Sequence, residues 1–211
     1  MTQTEKFIDR LRGLKEGDLS LLRRSKGSAL DANLPAFDLF TGLWWPLRQE
    51  SPQTPQRWCA WLAAKLYGSF PFPASERPLA TAVGLVEPRI VRGGQPGGNK
   101  DRDRFRGRFD ATLTSPGQDL LLEPHLCWCL REIADRKPRC LAINWPELLD
   151  DLWRWERPLQ WRNRRLGVHA RRHACLLPHF TVQEVWACEY LNPVRADSPD
   201  PIQGADHAQV G

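Results

Sequence analysis

The sequence predicts an all-α protein with about eight helices in two small bundles. Apolar residues recur at spacings of three and four along most of the chain, and capping residues stand where several repeats begin. The one candidate strand, GLVEPRIV, is short and interrupted by Pro88. With 211 residues, 41% of them hydrophobic, the chain can form one large or two small cores. We predict an N-terminal bundle over residues 1–86, a connection over 87–100 and a C-terminal bundle over 101–194.

Helical repeats with start and stop signals predict the N-terminal bundle. The apolar face of a first helix consists of Phe7, Ile8, Leu11 and Leu14. Asp18 is expected to cap a short second helix, and Pro46 to close a third helix in PAFDLFTGLWWP. Thr54 followed by Pro55 predicts the start of a fourth helix. A weaker helical stretch runs from Leu79 to Val83.

The C-terminal bundle is predicted from the same kinds of signal. In DRDRFRGRFDATL the inward positions are Phe105, Phe109 and Leu113. DLLLEPHLCWCLREIADRK reads as a long apolar helix that Pro124 starts or kinks. Asn144 with Glu147, and Thr181 with Glu184, have the spacing of capping boxes that open two further helices.

Two segments lack a helical repeat. EPRIVRGGQPGGNK, in the predicted connection, contains four glycines and two prolines, a composition typical of an exposed loop. It does not match a phosphate-binding loop, because Asn99 separates the last glycine from Lys100 and no Ser or Thr follows. Residues 195–211 are dominated by Asp, Pro, Gln and Ala, so we predict a disordered tail there.

The charge pattern favours a polyanionic partner. The formal net charge is +5, and residues 154–172 contain seven arginines against the single acid Glu156. Such a concentration of one sign attracts nucleic acid. The chain has no apolar run long enough to span a membrane, no signal peptide and no CxxC pair among its six cysteines. We therefore expect a cytoplasmic protein with reduced cysteines and no membrane partner.

Two interpretations compete for the stretch WRNRRLGVHARRH. The first is phosphate binding by its arginines, which are Arg162, Arg164, Arg165, Arg171 and Arg172. The second is a metal site built from His169, His173, Cys175 and His179. Arg171 and Arg172 would repel a divalent cation, so the first interpretation is favoured and no metal is predicted.

The usual constellations of catalytic residues are missing from the sequence. Asp150 and Asp151 are neighbours on a predicted helix and therefore point in different directions. His125 lies between apolar residues and reads as a packed side chain. We expect no enzyme and no cofactor. Two alternatives stay open, a metal-dependent nucleic-acid enzyme that uses the His169, His173 and Cys175 cluster, and a structural adaptor that binds protein.

Four blocks of the sequence, in order, carry a resemblance to a known family. They are GDLSLLRRS from Gly17 to Ser25, RFRGRFDATL from Arg104 to Leu113, INWPELLDDLWRWERP from Ile143 to Pro158, and VQEVWACEYL from Val182 to Leu191. These blocks resemble the CasB family, the small subunit of the type I-E CRISPR surveillance complex Cascade. The resemblance spans residues 5–191. Residues 159–180 separate two blocks that stand close together in the family, so we interpret them as a basic insertion.

The resemblance implies an all-helical, non-catalytic subunit of a ribonucleoprotein complex in antiviral defence. It implies contacts with the guide RNA, the target DNA and the displaced DNA strand, which stabilise the R-loop. It also implies contacts with the Cascade backbone subunits, the large subunit and a second copy of the chain. By motif, the implied nucleic-acid contacts are Arg23, Arg24, Arg104 and Arg108. Lys26 and the inserted arginines are added from charge alone.

Overall fold

The computed structural model describes residues 1–88, 100–136, 142–155 and 181–192. Within these ranges the chain forms nine α-helices and no strand, which confirms the all-α prediction. In chain order they are α1 Gln3–Arg12, α2 Glu16–Arg24, α3 Leu34–Glu50, α4 Arg57–Ser69, α5 Leu79–Val86, α6 Lys100–Leu113, α7 Asp119–Arg136, α8 Trp145–Trp153 and α9 Val182–Leu191. None of these helices is long and apolar enough to cross a membrane.

Helix α4 occupies the centre of the molecule. Every residue from Cys59 to Gly68 is buried, and the helix packs against α2, α3, α7 and α8. Gly68 lets α2 approach closely, because a side-chain carbon at this position would lie 2.8 Å from Leu22 Cβ. A helix that is apolar on all sides must be covered on all sides, and the surrounding helices provide that cover.

The other helices pack in two groups around α4. Helix α1 packs against α3, whereas α7 contacts both α5 and α6, and α9 contacts α5 and α6. Helix α8 packs against α1 and α4. The buried hydrophobic residues form one continuous cluster that extends from Phe7 to Tyr190.

These contacts cross the predicted division into bundles. Helix α5, assigned to the N-terminal bundle, packs against α7 and α9, and α8, assigned to the C-terminal bundle, packs against α1 and α4. The domain boundaries themselves stay a prediction. Residues 89–99 of the predicted connection, the insertion 159–180 and the tail 195–211 lie outside the described residues.

Three predicted helix ends are wrong. Helix α2 begins at Glu16, so Asp18 lies inside its first turn instead of capping it. Helix α3 continues through Pro46 to Glu50. The carbonyl that loses its partner at the proline belongs to Gly42, an exposed position where water can replace the missing N–H.

Thr54 does not cap α4, which begins at Arg57. Its side chain is buried, and its hydroxyl donates to the carbonyl oxygens of Leu47 at 2.7 Å and Ser51 at 2.9 Å. The threonine therefore closes the end of α3, because the last carbonyls of a helix have no intrahelical partner.

The two later helices begin at the predicted capping residues, but only one of the two predicted capping boxes is complete. Thr181 and Glu184 form a complete capping box at α9. At α8 the Asn144 side chain accepts the Glu147 N–H at 3.1 Å. These caps fix where each chain segment enters its helix.

Candidate nucleic-acid interface

Basic side chains from separate parts of the chain border one stretch of α7. Lys26 follows α2 and precedes Gly27, whose N–H donates to Glu123 of α7 at 3.1 Å, and the Lys26 charge acts on the Cys127 thiol. Arg131 lies one turn further along α7, and its charge also acts on that thiol. Arg108 of α6 lies over the Trp128 ring, 5.9 Å from its centroid. All three basic residues are exposed, and we call Lys26, Arg108 and Arg131 the α7 basic surface.

The thiol beneath this surface stays neutral. Burial raises the pKa of Cys127, and the positive charges of Lys26 and Arg131 offset that rise only in part. A thiolate would have neutralised one of the neighbouring cations. Because the thiol is protonated, the surface keeps its positive charge.

A buried carboxylate holds the turn that carries Lys26. Both oxygens of Glu123 accept the Gly27 N–H at 3.1 Å, and Lys65 Nζ lies 2.7 Å from Glu123 Oε2. Gly27 has φ +71°, a left-handed conformation that favours glycine. The turn is therefore fixed to both α4 and α7.

The arginines of α6 divide between two faces of the helix. Arg102 and Arg106 both pair with Glu87, at 2.9 Å for Arg102. Burial by itself would raise the pKa of Glu87, but the hydrogen bonds from the two guanidinium groups outweigh it and lower that pKa. Arg104 is exposed, and its nearest acid in the described residues is Asp101 at 3.9 Å. Arg104 and Arg108 are thus the arginines of α6 that face solvent.

Arg23 and Arg24 lie along α2 and make local contacts. Arg23 Nε donates to the Gly68 carbonyl at 3.0 Å, and its guanidinium pairs with Glu16 at 3.2 Å. Arg24 Nε donates to the Ser20 carbonyl at 3.4 Å. Both side chains are exposed. The structure therefore brings Lys26 and Arg108 to α7 and holds Arg23 against the end of α4.

The basic stretch WRNRRLGVHARRH falls outside the described residues, together with the five predicted arginines and His169, His173, Cys175 and His179. Within residues 1–88, 100–136, 142–155 and 181–192, no group of three or more His, Cys, Asp or Glu side chains could hold a metal ion. His125 is half-buried on α7.

A family comparison identifies the chain. A model of the family described as CRISPR-associated protein Cse2 matches residues 18–190. The chain belongs to the Cse2 family. This confirms the resemblance found in the sequence, because solved Cse2-family and CasB structures are also its structural neighbours. No curated protein matches the chain.

The structural neighbours share the fold at low sequence identity. M. ruber CasB gives a TM-score of 0.57 with 20% identity, covering 92% of this chain and 96% of that one. A CRISPR-associated protein of the Cse2 family from Thermus thermophilus gives 0.55 with 23% identity, covering 90% and 99%. A second structure from Thermus thermophilus, described as CasB, gives 0.53 with 23% identity and the same coverages. The likeness supports the all-helical Cse2 architecture.

The two adjacent acids of this Cse2-family chain join helices together. Asp150 accepts the Thr4 hydroxyl at 2.7 Å, which ties α8 to α1. Asp151 is buried and accepts Trp186 Nε1 at 2.7 Å, which ties α8 to α9. As the sequence indicated, neighbouring helical residues point in different directions, and each carboxylate has a separate structural partner.

Sequence reasoning missed Arg131, Glu87 and the Lys65–Glu123 pair of this family member. A signal for the pair does exist, because CAWLAAKLYG and LLLEPHLCWCL each contain one charged residue in an apolar run, with opposite signs. Single opposite charges in two buried helices indicate that the helices meet there. Arg131 offers no such signal, since it is one of many arginines.

Proposed function

We propose that this Cse2-family chain is the non-catalytic small subunit of a type I-E CRISPR Cascade complex. Membership of the family implies a Cascade subunit. In the proposal it binds the nucleic-acid backbone and stabilises the R-loop, which comprises the guide RNA–target hybrid and the displaced DNA strand. Its further partners are the backbone subunits, the large subunit and a second copy of the chain. Base pairing supplies sequence recognition in such a complex, while the protein contacts phosphates and shape.

The α7 basic surface is the observation that supports this proposal most directly. Lys26, Arg108 and Arg131 are exposed, come from three separate segments and lie near one turn of α7, between Cys127 and Arg131. Lysine and arginine donate charged hydrogen bonds to phosphate oxygens, and arginine can do so with two parallel N–H groups. Arg104 lies one turn from Arg108 and extends the surface along α6.

Salt-dependent binding tests this function. If one copy neutralises about five phosphates, log affinity falls with log salt with a slope of about −3.5 for a single strand and −4.5 for a duplex. The triple variant Lys26→Ala, Arg108→Ala, Arg131→Ala removes three of these contacts. Its slope on single-stranded DNA should be less steep by about 2. Fluorescence anisotropy of labelled DNA between low and moderate salt gives both slopes.

A control variant separates local contacts from overall charge. Arg12→Ala, Lys15→Ala, Arg48→Ala also removes three exposed positive charges, but these residues lie on or beside α1, α2 and α3, and none of them belongs to the α7 basic surface. It should keep the slope of the unmodified chain. Equal losses in both variants would show binding by overall charge and contradict the role of the α7 basic surface. A flat salt dependence for the unmodified chain would contradict the proposed function and favour an adaptor that binds protein.

The inserted arginines are part of the same proposal. Arg164 and Arg165 are expected to contact phosphates, so Arg164→Ala with Arg165→Ala should weaken binding to unrelated sequences by the same factor. Binding to three DNA strands of different composition measures this. A loss confined to one sequence would show base readout and count against a backbone contact.

A further inference from the structure

A buried ion pair joins α4 to α7. Lys65 Nζ lies 2.7 Å from Glu123 Oε2, and the two side chains are 0% and 2% exposed. Replacing such a pair by apolar side chains of similar volume is often neutral or stabilising, because removing two charges from water costs about as much as their attraction provides. Stability alone therefore does not explain why this core contains the pair.

Both charged groups also bind the turn that follows α2. Glu123 accepts the Gly27 N–H, and Lys65 Nζ donates to the Ser28 carbonyl at 3.2 Å. Trp61 Nε1 donates to the same carbonyl at 3.4 Å. Apolar side chains supply neither an acceptor nor a donor, so without the pair the Gly27 N–H loses its carboxylate and the Ser28 carbonyl keeps only Trp61.

The turn in question carries one member of the α7 basic surface. Lys26 stands between Ser25, which is buried, and Gly27, which the carboxylate holds. Its charge acts on the Cys127 thiol, and Cys127 is one helical turn along α7 from Glu123. The Glu123 carboxylate that anchors this turn and the thiol on which the Lys26 charge acts thus lie on the same side of α7.

We infer that Lys65 and Glu123 are positioning residues for Lys26. The pair fixes the turn against α4 and α7, so that the Lys26 ammonium stays on the α7 basic surface beside Arg131 and Arg108. This inference rests on the proposed function, since it concerns a phosphate contact of that surface. Beyond that function, the inference states that the buried side chains of Lys65 and Glu123 determine the phosphate contact of Lys26.

A double-mutant cycle tests the inference. Lys26→Ala should make the salt slope for single-stranded DNA less steep by about 0.7. The neutral pair Lys65→Met with Glu123→Leu should give the same change, although Lys26 is still present. Combining all three substitutions should give no further change. If the two effects add, or if the neutral pair keeps the full slope, the inference is wrong.

Stability measurements distinguish positioning from a general structural role. Glu123→Gln keeps a carbonyl acceptor for Gly27 but leaves Lys65 without its carboxylate partner, so it should lower the melting temperature and keep the slope. The neutral pair should melt at or above the temperature of the unmodified chain, and its salt slope should be less steep, as for Lys26→Ala. Trp186→Phe, which removes the buried bond to Asp151, should also melt earlier with an unchanged slope. A purely structural role predicts that the slope follows the melting temperature.

A second variant covers the case in which the neutral pair does not fold. Gly27→Pro removes the N–H that Glu123 binds and cannot adopt φ +71°, while it leaves the ion pair intact. Gly27→Pro should make the salt slope less steep by the same amount as Lys26→Ala does. Combining the two substitutions should give no further change. If Lys26→Ala itself has no effect, the proposed contact of Lys26 fails. If Lys26→Ala weakens binding and Gly27→Pro does not, only the inference fails.

Discussion

Helix α6 presents four arginines on two opposite faces, and the two pairs have different surroundings. Arg102 and Arg106 point toward α5, where both bind Glu87. Arg104 and Arg108 point to solvent, and Arg108 lies over Trp128 on α7. Positions two residues apart differ by about 200° around a helix, which separates the alternating arginines into these pairs.

The partner of an arginine, and not the residue type, separates the structural pair of α6 from the pair that is proposed to bind nucleic acid. Glu87 is largely buried, with its side chain 15% exposed, so its two arginines compensate a charge that has lost much of its water. The solvent-facing pair compensates no buried acid in the described part of the chain. Its guanidinium groups therefore remain available for phosphate.

The largest expected effect comes from removing the pair that binds Glu87. Arg102→Gln with Arg106→Gln leaves a largely buried carboxylate with weaker partners, so the free energy of unfolding should fall by about 1–3 kcal/mol. The salt slope for DNA should stay unchanged. Urea unfolding and anisotropy on the same preparation measure both. A less steep slope in this variant would show that the partnered face also binds nucleic acid.

The opposite result is expected from the solvent-facing pair. Arg104→Gln with Arg108→Gln removes the same two charges, and the slope on single-stranded DNA should become less steep by about 1.4. The free energy of unfolding should change by less than about 1 kcal/mol, because Arg108 loses only an exposed contact with the Trp128 ring. An unchanged slope would remove α6 from the proposed interface.

A pH dependence should follow from Glu87. Its pKa in the folded chain lies below the usual value of 4.5, so the stabilisation is complete above about pH 5 and is lost as the pH falls through the lowered pKa. Glu87→Gln removes that contribution. The stability difference between the unmodified chain and Glu87→Gln should therefore shrink as the pH is lowered from about 6 to 3.

The matched control for this pH dependence is Glu50→Gln. Lys6 also lowers the pKa of Glu50, but that pair is exposed at the surface. Its loss should leave the stability nearly unchanged at either pH, since exposed ion pairs contribute little. Urea midpoints at the two pH values compare the variants, and a constant difference for Glu87→Gln would contradict the assignment.

Local periodicity predicted the two buried phenylalanines of α6 but not its buried Thr112, and Leu113, which it also placed inward, is half-buried. Phe105 and Phe109 are in the core as expected, and Phe109 stacks on Tyr190 at 4.3 Å between ring centroids. The arginines could not be sorted in the same way. Their difference depends on Glu87, which directly follows α5 and meets the arginines of α6 only in the tertiary fold.

The same limit applies to the candidate site as a whole. Family motifs indicated Arg108, and charge alone indicated Lys26, but neither shows that both residues border α7. Their meeting depends on the turn at Gly27 and on its buried partner Glu123, which lies 96 positions away in the sequence. Capping signals are local, and they were correct for Asn144 and Thr181. Asp18 and Thr54 were wrong, since the Thr54 hydroxyl binds carbonyls at the end of the preceding helix.

The smallest expected effect concerns Gly107, which lies on the solvent side of α6 between Arg104 and Arg108. A methyl group at Gly107 would meet no described heavy atom within 4 Å. Glycine in a helix interior costs about 0.5–1 kcal/mol relative to alanine, so Gly107→Ala should raise the melting temperature by about 1–4 °C. The salt slope should not change, because both guanidinium groups extend well beyond a methyl group. Loss of affinity with a normal melting curve would instead mean that the nucleic-acid backbone packs directly against α6 at Gly107. Binding at this face would then depend on close contact with the helix as well as on the charges of its arginines.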